Sequence, residues 1–287
     1  MIPKILFKSN LQVITPCYCA GGEQARAELR AASFRGELRW WFRCLGGNRK
    51  QEETVFGSIA GNKGRASAVA MLLTGVELPD QSSRWQPEGN PGQGETNSSY
   101  ITFFLSKQRR KYVPVGTTFR LELRQMRDIE DRTALSLLEL AWKCMCNLGA
   151  VGSRKTRGLG AYAPLEPQER KVADLLQDTR VNSHFASLMH PDPVGDFNNP
   201  AATTAILRLC ASQLKEYRRR SNYHPGSRKY GAIKCETVLG SVCGKFRQTS
   251  AVRFRPILDQ DGRLRLCVLK APSITLGRIA QKYDIKL

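Results

Sequence analysis

The chain has 287 residues, of which 41% are hydrophobic, so it can bury a sizeable core and divide into two domains rather than stay disordered. It carries 45 Lys and Arg against 25 Asp and Glu, a formal net charge of +20 at pH 7, and this excess favours a polyanionic partner, nucleic acid first. An anionic membrane surface is disfavoured because the sequence has no basic amphipathic anchor, lipidation motif or long apolar span, and without a secretory signal peptide the protein is predicted to be cytoplasmic.

The first half of the chain alternates between strand and helix patterns. Apolar residues recur at every second position in its strands and at every third or fourth position in its helices. The stretch 79–99 has no period and is expected to be a long functional loop. The order of elements matches the βαββαβ pattern of a ferredoxin-like or RRM-like domain. We predict strands at 4–18, 67–78, 100–106, 115–124 and 159–165, and helices at 33–45 and 131–148, the second of them capped by Asp131.

The second half has fewer clear patterns. A helix is predicted at 200–220 from its apolar spacing. A hairpin is predicted from two alternating strands, 252–258 and 263–269, joined by a turn at Asp261-Gly262. The whole chain is therefore expected to be α+β, with a second and more irregular domain after the first.

The segment RGELRWWFR is the densest basic signal. On a helix, Arg35, Arg39 and Arg43 lie at i, i+4 and i+8 and form one basic stripe beside the apolar stripe. Trp40 falls on neither stripe and is predicted to be partly exposed, where an indole can stack on a base. An ordinary solvated helix face would give the same stripe. The sequence offers only Glu37 as a nearby acidic partner for the three arginines, which favours a bound anion.

A glycine-rich basic turn, Gly149 to Gly160, follows the second predicted helix. Its glycines allow backbone N–H groups to approach phosphates closely, and nests of such groups bind anions. The spacing is not that of a Walker loop, because here the helix comes before the glycines. A plain glycine-rich turn with incidental charge is the alternative, although three cations in four positions exceed what a turn requires. The residues predicted to bind RNA here are Gly152, Ser153, Arg154, Lys155, Arg157 and Gly160.

The cysteines suggest a zinc site only weakly. Two pairs, Cys17 with Cys19 and Cys144 with Cys146, could supply four thiolates. Zinc ligands are usually spaced by two to four residues, and the second pair lies inside a predicted helix, where residues i and i+2 diverge. No metal site and no cofactor are therefore predicted.

The histidines give no clear catalytic arrangement. A metal-free ribonuclease needs a general acid and a general base that converge on a 2′-OH, and His224 with Tyr223 and Lys229 could be drawn in that way. Nothing in the spacing requires it, and neither His184 nor His190 lies near the basic stretches in sequence. No catalytic residue is predicted, and a nuclease is kept as the alternative.

Two stretches together resemble the RAMP superfamily of CRISPR proteins. They are RGELRWWFR after a strand ending in ITPCYCAGG, and GSRKTRGLGAY after the second helix. Within the superfamily the resemblance is to the subunits that cap the guide 3′ end in type III-B (Cmr) effector complexes. The later SAVRFRPIL is similar to a C-terminal motif of that group, with Ala251 where the motif has proline. By this resemblance the helix motif falls on Arg35, Arg39, Trp40 and Arg43, and the loop motif on Gly152, Arg154, Lys155, Arg157 and Gly160.

The resemblance implies both an architecture and a role. The architecture is tandem ferredoxin-like (RRM-like) domains, 1–166 and 167–287, with a glycine-rich RAMP loop. The role is a non-catalytic RNA-binding subunit that holds the 3′ end of the guide RNA and the start of the target duplex. Its expected partners are guide RNA, target RNA and other effector-complex subunits. The alternatives are a metal-independent guide-processing endoribonuclease of the same superfamily and a protein-binding scaffold with little RNA contact.

Overall fold

Helices and antiparallel strands alternate along the chain, which confirms the predicted α+β class. A computed structural model describes residues 3–23, 25–60, 63–80, 85–89, 97–220, 241–243, 246–248 and 250–271. None of the helices in these ranges has the length and apolar composition that a membrane span requires. The elements of the first half are β1 (Lys4–Val13), α1 (Ala31–Cys44), α2 (Arg49–Phe56), β2 (Ser58–Ala60), β3 (Lys63–Arg65), β4 (Val69–Glu77), α3 (Ser99–Lys107), β5 (Thr118–Gln125), α4 (Arg132–Leu148) and β6 (Tyr162–Pro164).

The second half contributes a mixture of short and long elements. It opens with a 3-10 turn at Pro167–Glu169. Its elements are α5 (Val172–Gln177), α6 (Thr179–Asn182), β7 (Ala186–Met189), β8 (Gly195–Asp196), α7 (Pro200–Arg220), β9 (Ser241–Cys243), β10 (Phe246–Gln248), β11 (Val252–Leu258) and β12 (Arg263–Lys270). The helix predicted at 200–220 and the hairpin predicted at 252–269 are both confirmed.

Four strands of the first half form one antiparallel sheet in the order β4-β5-β1-β6. Alternate residues of a strand share a face, so Leu11 and Val13 of β1 are buried together with Phe119, Leu121 and Leu123 of β5. Helices α1 and α4 contact each other and pack on these residues. The predicted strands and helices of this unit are confirmed, except that β1 ends at Val13 rather than at residue 18 and that 100–106 is not a strand.

The sequence signals for α1 and α4 agree with their observed ends and buried faces. In α1 the predicted apolar positions Phe34, Leu38 and Trp41 are fully buried. At the start of α4 the carboxylate of Asp131 accepts a hydrogen bond from the backbone N–H of Ala134 at 2.9 Å, which satisfies one of the free donors of the first turn. The predicted capping role of Asp131 is confirmed.

Residues 100–106 were predicted as a strand and instead lie in α3, so that prediction is wrong. Ile101 and Leu105 lie four residues apart and are both buried in the second core cluster, which is helical spacing. The run Ile101 to Leu105 is too short and too uniformly apolar for its period to be read from the sequence. Burial of one side against the second half of the chain selects the helix.

Helix α2 and the short hairpin formed by β2 and β3 were not predicted. The start of α2 has a capping box, because the Asn48 side chain accepts from the N–H of Gln51 at 2.9 Å while the Gln51 side chain accepts from the N–H of Asn48 at 3.2 Å. This N-x-x-Q signal was present in the sequence. Val55 and Phe56, at the end of α2, are buried and anchor the helix beside α1.

The second half has its own antiparallel sheet, in the order β11-β12-β7, with β8 also paired to β12. Every residue of β11 is buried, including Arg253 and Arg255. The larger of two hydrophobic clusters contains residues from both halves, for example Trp41 and Leu138 with Phe185 and Leu269. This shared core brings β11 close to α1, across the predicted boundary between residues 166 and 167.

Candidate nucleic-acid interface

The predicted arginine stripe of α1 lies against α2. Arg39 donates from Nε and Nη2 to Oε1 of Glu52 at 3.0 and 2.6 Å, and Arg43 Nη1 lies 3.9 Å from the same oxygen. Arg35 donates to the carbonyl of Phe56 at 2.5 Å, and the guanidinium groups of Arg35 and Arg39 lie 5.9 and 5.8 Å from the ring centre of Phe56. Glu52 therefore balances part of the charge of this stripe. Arg43 keeps 51% of its side chain exposed.

Glu37 does not pair with the arginine stripe, and the expectation that no other acidic partner lies near the stripe is wrong, because Glu52 pairs with one of its arginines. The Glu37 side chain is fully buried and faces three cations from distant parts of the chain. Lys155 Nζ lies 2.6 Å from Oε2, and Arg253 Nη1 and Arg255 Nη2 lie 3.2 and 3.5 Å from Oε1. One carboxylate thus joins the first helix, the glycine-rich turn and β11. The cluster carries two more positive charges than negative ones.

The charges of this cluster persist at neutral pH. Burial alone would raise the pKa of Glu37, but the attraction of Lys155, Arg253 and Arg255 outweighs it and lowers the pKa to about 2. Burial and then the nearby Arg253 lower the pKa of Arg255 to about 10, because three cations share one carboxylate. The Nε atoms of Arg253 and Arg255 are buried without a hydrogen-bond partner among the described residues. The site is therefore positive and short of acceptors, which favours an anion at its exposed edge.

The glycine-rich turn has a backbone that only a few residue types adopt. Gly152 and Gly160 have φ angles of +86° and +67°, and Arg154, a non-glycine residue, has a φ of +57°. A Cβ on Gly160 would lie 1.9 Å from the carbonyl oxygen of Val151, and one on Gly152 would lie 2.7 Å from that of Tyr18. The two glycines are therefore required for the turn to approach neighbouring backbone.

Two segments hold the turn in place from opposite ends. On one side the backbone N–H of Ser153 donates to the carbonyl of Tyr18 at 2.8 Å. On the other side the N–H of Phe254 in β11 donates to the carbonyl of Thr156 at 3.1 Å, and the guanidinium of Arg255 donates to the carbonyl of Lys155. These contacts fix the direction of the turn before any ligand is present, which lowers the entropic cost of binding one.

Trp40 is half-buried, which confirms the predicted partial exposure. Its ring packs edge-on against Trp41 and Phe185, with centroids 5.1 and 5.9 Å apart. The guanidinium carbon of Arg253 lies 3.2 Å from the centre of the indole, so one face of the ring is occupied by a cation. A base could stack only on the other face, and that role of Trp40 remains a prediction.

The arginine stripe lies on one flank of α1, and the glycine-rich turn contacts the opposite flank. At about 100° per residue, Glu37 points roughly 160–200° away from Arg35 and Arg39 around the helix axis. The stripe faces α2, and Glu37 faces Lys155 in the turn. The two predicted stretches are thus joined through one helix, but their cations lie on opposite sides of it. The RNA-binding roles of the ten predicted residues remain predictions.

The sequence reasoning missed Glu52, Arg253 and Arg255 as parts of this arrangement. Glu52 belongs to α2, which was not predicted. The two arginines alternate with Val252 and Phe254 in β11, a pattern typical of a strand with one buried and one solvated face, yet both faces of β11 are buried. A signal was available, because the other residues of β11 are apolar, so its two charges needed a buried partner.

Neither cysteine pair is part of a metal-ligand cluster in the described part of the chain. Cys17 packs under the turn, with its Sγ 3.6 Å from the carbonyl oxygen of Val151. Cys144 and Cys146 lie inside the core face of α4, where burial raises the pKa of both thiols. Over the described part of the chain, no three His, Cys, Asp or Glu side chains come together in a way that could hold a metal ion.

The histidines that the structure describes are not next to the turn. His184 lies beside Gly46, and the Nδ1 of His190 is 3.2 Å from the carbonyl oxygen of Asp192. The residues of the nuclease alternative, His224, Tyr223 and Lys229, lie outside the described residues.

Comparison with known proteins identifies the superfamily to which the chain belongs. The sequence model of the RAMP superfamily matches residues 10–163, which include α1, α4 and the glycine-rich turn. The chain belongs to the RAMP superfamily. A relative of this RAMP protein in Pyrococcus furiosus, the CRISPR system Cmr subunit Cmr1-2, is 27% identical over 175 residues, which cover 53% of this chain and 91% of that protein.

Two solved structures share the fold of this RAMP protein. The crystal structure of Cmr1 from Pyrococcus furiosus in its apo form aligns with a TM-score of 0.54 at 17% identity, over 98% of this chain and 91% of that one. A chain in the cryo-EM structure of the type III-B Cmr-beta complex bound to cognate target RNA aligns with a TM-score of 0.51 at 12% identity, over 92% and 94% of the two chains. The fold similarity therefore extends beyond the residues matched by the superfamily model.

Proposed function

We propose that this chain is an RNA-binding subunit of a type III CRISPR ribonucleoprotein effector, and that it holds the 3′ end of the guide RNA and the start of the target duplex without cleaving RNA itself. Its partners would be guide RNA, target RNA and other effector subunits, in the cytoplasm. The observation that carries the proposal is the convergence of α1, the glycine-rich turn and β11 on the buried carboxylate of Glu37.

The similarities support membership of such a complex. The Pyrococcus furiosus relative is by name a Cmr subunit, and one structure with the same fold contains cognate target RNA. In guide-RNA complexes the sequence is read by base pairing, and the protein holds the backbone. A surface rich in arginine and glycine, which can contact many phosphates, suits that task.

The topology supports a tandem ferredoxin-like architecture for the proposed domains 1–166 and 167–287. The first sheet has the order β4-β5-β1-β6, with α1 after its first strand and α4 after its third, as in a ferredoxin-like βαββαβ unit. In the second sheet, β7, α7, β11 and β12 follow the same βαββ order, and β12 lies between the other two strands. The glycine-rich turn, between α4 and β6 of the first unit, would then be the RAMP loop, and it contacts β11 of the second unit.

The electrostatics of the turn support phosphate as its ligand. Three cations surround one buried carboxylate, and Lys155 is the member with an exposed part, at 31% of its side chain. Arg154 and Arg157 lie on either side of it in the same turn. Cations at a rigid turn contact phosphates without regard to base identity, and such contacts make affinity strongly dependent on salt.

The test is a measurement of RNA affinity by fluorescence anisotropy at several salt concentrations. The variant combines Arg154→Gly with Arg157→Ala, because glycine accepts the positive φ of position 154 and keeps the turn intact. We expect weaker binding to every RNA sequence and a salt slope smaller by about one unit for each phosphate that the variant no longer binds. The matched control is Lys143→Ala with Arg180→Ala, which removes the same charge from α4 and α6.

The outcomes separate the proposal from its alternatives. Equal losses in the variant and the control would mean that only net charge matters and would contradict a site at the turn. In the assembled effector, the chain should crosslink to the 3′ end of the guide RNA, and crosslinks only to other subunits would favour a scaffold. RNA incubated with the protein in EDTA should be recovered intact. Cleavage that is abolished by His224→Ala would replace the proposal with a nuclease.

A further inference from the structure

Helix α3 presents an exposed aromatic and cationic face. Its buried side consists of Ile101 and Leu105, which are 0% and 5% exposed. Tyr100, Phe104 and Lys107 lie at i, i+4 and i+7 and therefore share another side of the helix, whose centre lies about 100° or more around the axis from that of the buried side. Phe104 is 58% exposed and Tyr100 is 36% exposed. Large aromatic residues rarely remain this accessible on a monomer unless the surface binds something.

This face of α3 adjoins the glycine-rich turn. The guanidinium carbon of Arg154 lies 5.3 Å from the ring centre of Phe104. Tyr18 also links the two regions, because its ring packs 5.3 Å from that of Tyr112, five residues after α3, and its backbone carbonyl accepts from the N–H of Ser153. The aromatic face thus extends the turn surface rather than forming a separate site.

We propose that Tyr100, Phe104 and Lys107 of α3, together with Arg154, form a binding platform for single-stranded RNA that continues the surface of the glycine-rich turn. The inference rests on the proposed RNA-binding function and adds the form of RNA that is bound beyond the turn. Bases would stack on the rings of Phe104 and Tyr100, while Arg154 and Lys107 contact the phosphates on either side. Unpaired bases expose their faces for such stacking, whereas those of a duplex are already stacked on each other.

The charge of the surrounding segment favours RNA over a protein partner. The sequence from 96 to 121 contains no Asp or Glu, and Lys107, Arg109 and Lys111 are all exposed at the end of α3. Among the described residues, Glu88 accepts from the N–H of Ser98 at the other end of the helix and pairs with Arg208. Aromatic rings interleaved with cations are what a single-stranded polyanion requires.

The test compares single-stranded RNA with a duplex of the same sequence, using the full chain and fluorescence anisotropy. Phe104→Ala should weaken binding of the single strand about tenfold, since it removes one base–aromatic stack, and should leave the duplex unchanged. Phe104→Trp should restore the affinity because the indole offers a larger face. The matched control is Leu188→Ala, which truncates another exposed apolar side chain, on β7, and should have no effect.

A second readout locates the contact directly. Single-stranded RNA carrying 5-iodouracil should photocrosslink to a peptide that contains Phe104, as mapped by mass spectrometry. If the wild-type chain binds no RNA at all, the proposed function itself fails. If it binds RNA but Phe104→Ala has the wild-type affinity for single strands, the platform is refuted while the turn site stands. The platform would also be refuted if Phe104→Ala weakened binding of the single strand and of the duplex equally, or if the variant impaired only assembly with other subunits.

Discussion

Replacement of Glu37 by glutamine tests the central feature of the structure. Glutamine keeps the size of the side chain but removes the negative charge that faces Lys155, Arg253 and Arg255. Three cations would then remain close together, two of them fully buried, without a counter-ion. The free energy of unfolding should fall, because an uncompensated buried charge keeps its desolvation cost and loses its attraction.

The magnitude follows from two independent estimates. The pKa of Glu37 is lowered from 4.5 to about 2, which corresponds to about 3 kcal/mol of favourable interaction of the charged form at neutral pH. Removal of one partner from a buried ion pair typically costs about 3–5 kcal/mol. We therefore expect Glu37→Gln to lower the free energy of unfolding by about 3–5 kcal/mol and Tm by about 6 °C or more.

Urea and thermal unfolding at pH 7, followed by circular dichroism, measure this decrease. The control is Glu52→Gln, which removes a partly exposed carboxylate that pairs with Arg39 and should cost at most about 1 kcal/mol. If Glu37→Gln is too unstable to purify, the double variant with Arg253→Met should recover part of the stability because it removes one of the unopposed cations.

Acid titration of the wild-type protein provides a further check. Because the pKa of Glu37 is lower in the folded state than in the unfolded state, its contribution to stability is fully present above about pH 4.5 and is lost as the pH falls toward 2. The stability of Glu37→Gln should depend less on pH in this range. An unfolding free energy within about 0.5 kcal/mol of the wild type at pH 7 would refute the reasoning.

Two further predictions concern the turn and the arginine stripe. Gly160→Ala should lower the free energy of unfolding in urea by about 2 kcal/mol or more and weaken RNA binding, since its Cβ would collide with the carbonyl of Val151 at a φ of +67°. A variant as stable as the wild type would show that the turn relaxes freely. Arg39→Ala with Arg43→Ala should reduce the salt slope of RNA binding by about one unit for each phosphate that these arginines neutralise, and an unchanged slope would remove α1 from the site.

The fold was largely predictable where a period was long enough to be distinct. The apolar spacing of α1 spans more than two turns, and the alternation of β5 spans several strand positions, so helix and strand could be told apart. At α4 the capping residue Asp131 marked the start of the helix. The error at α3 has the opposite cause. Its apolar residues form one short block, and its helical state depends on Ile101 and Leu105 packing against a second half that the sequence does not place.

The candidate site was predictable as a set of motifs but not as a set of contacts. Glycine and arginine composition marked the turn and α1, because those residue types have few other uses at such density. The partner of each charge depends on three-dimensional proximity, and Glu37 meets Arg253 across 216 residues of sequence. An arginine stripe therefore looked unpaired in the sequence, although Glu52 of the overlooked α2 lies within hydrogen-bond distance of Arg39.

The long sequence separation within the Glu37 cluster has a consequence for how the protein is made. Glu37 and Lys155 leave the ribosome well before Arg253, and at about 5–20 residues per second the interval from Glu37 to Arg253 lasts about 10–40 s. During that interval α1 has an acidic residue on its core face, while β11, which later covers it and anchors the turn, has not been synthesised. The turn therefore acquires its final shape only after β11 has been synthesised, and a chain that stops before β11 would lack both the cover over Glu37 and the contacts that anchor the turn.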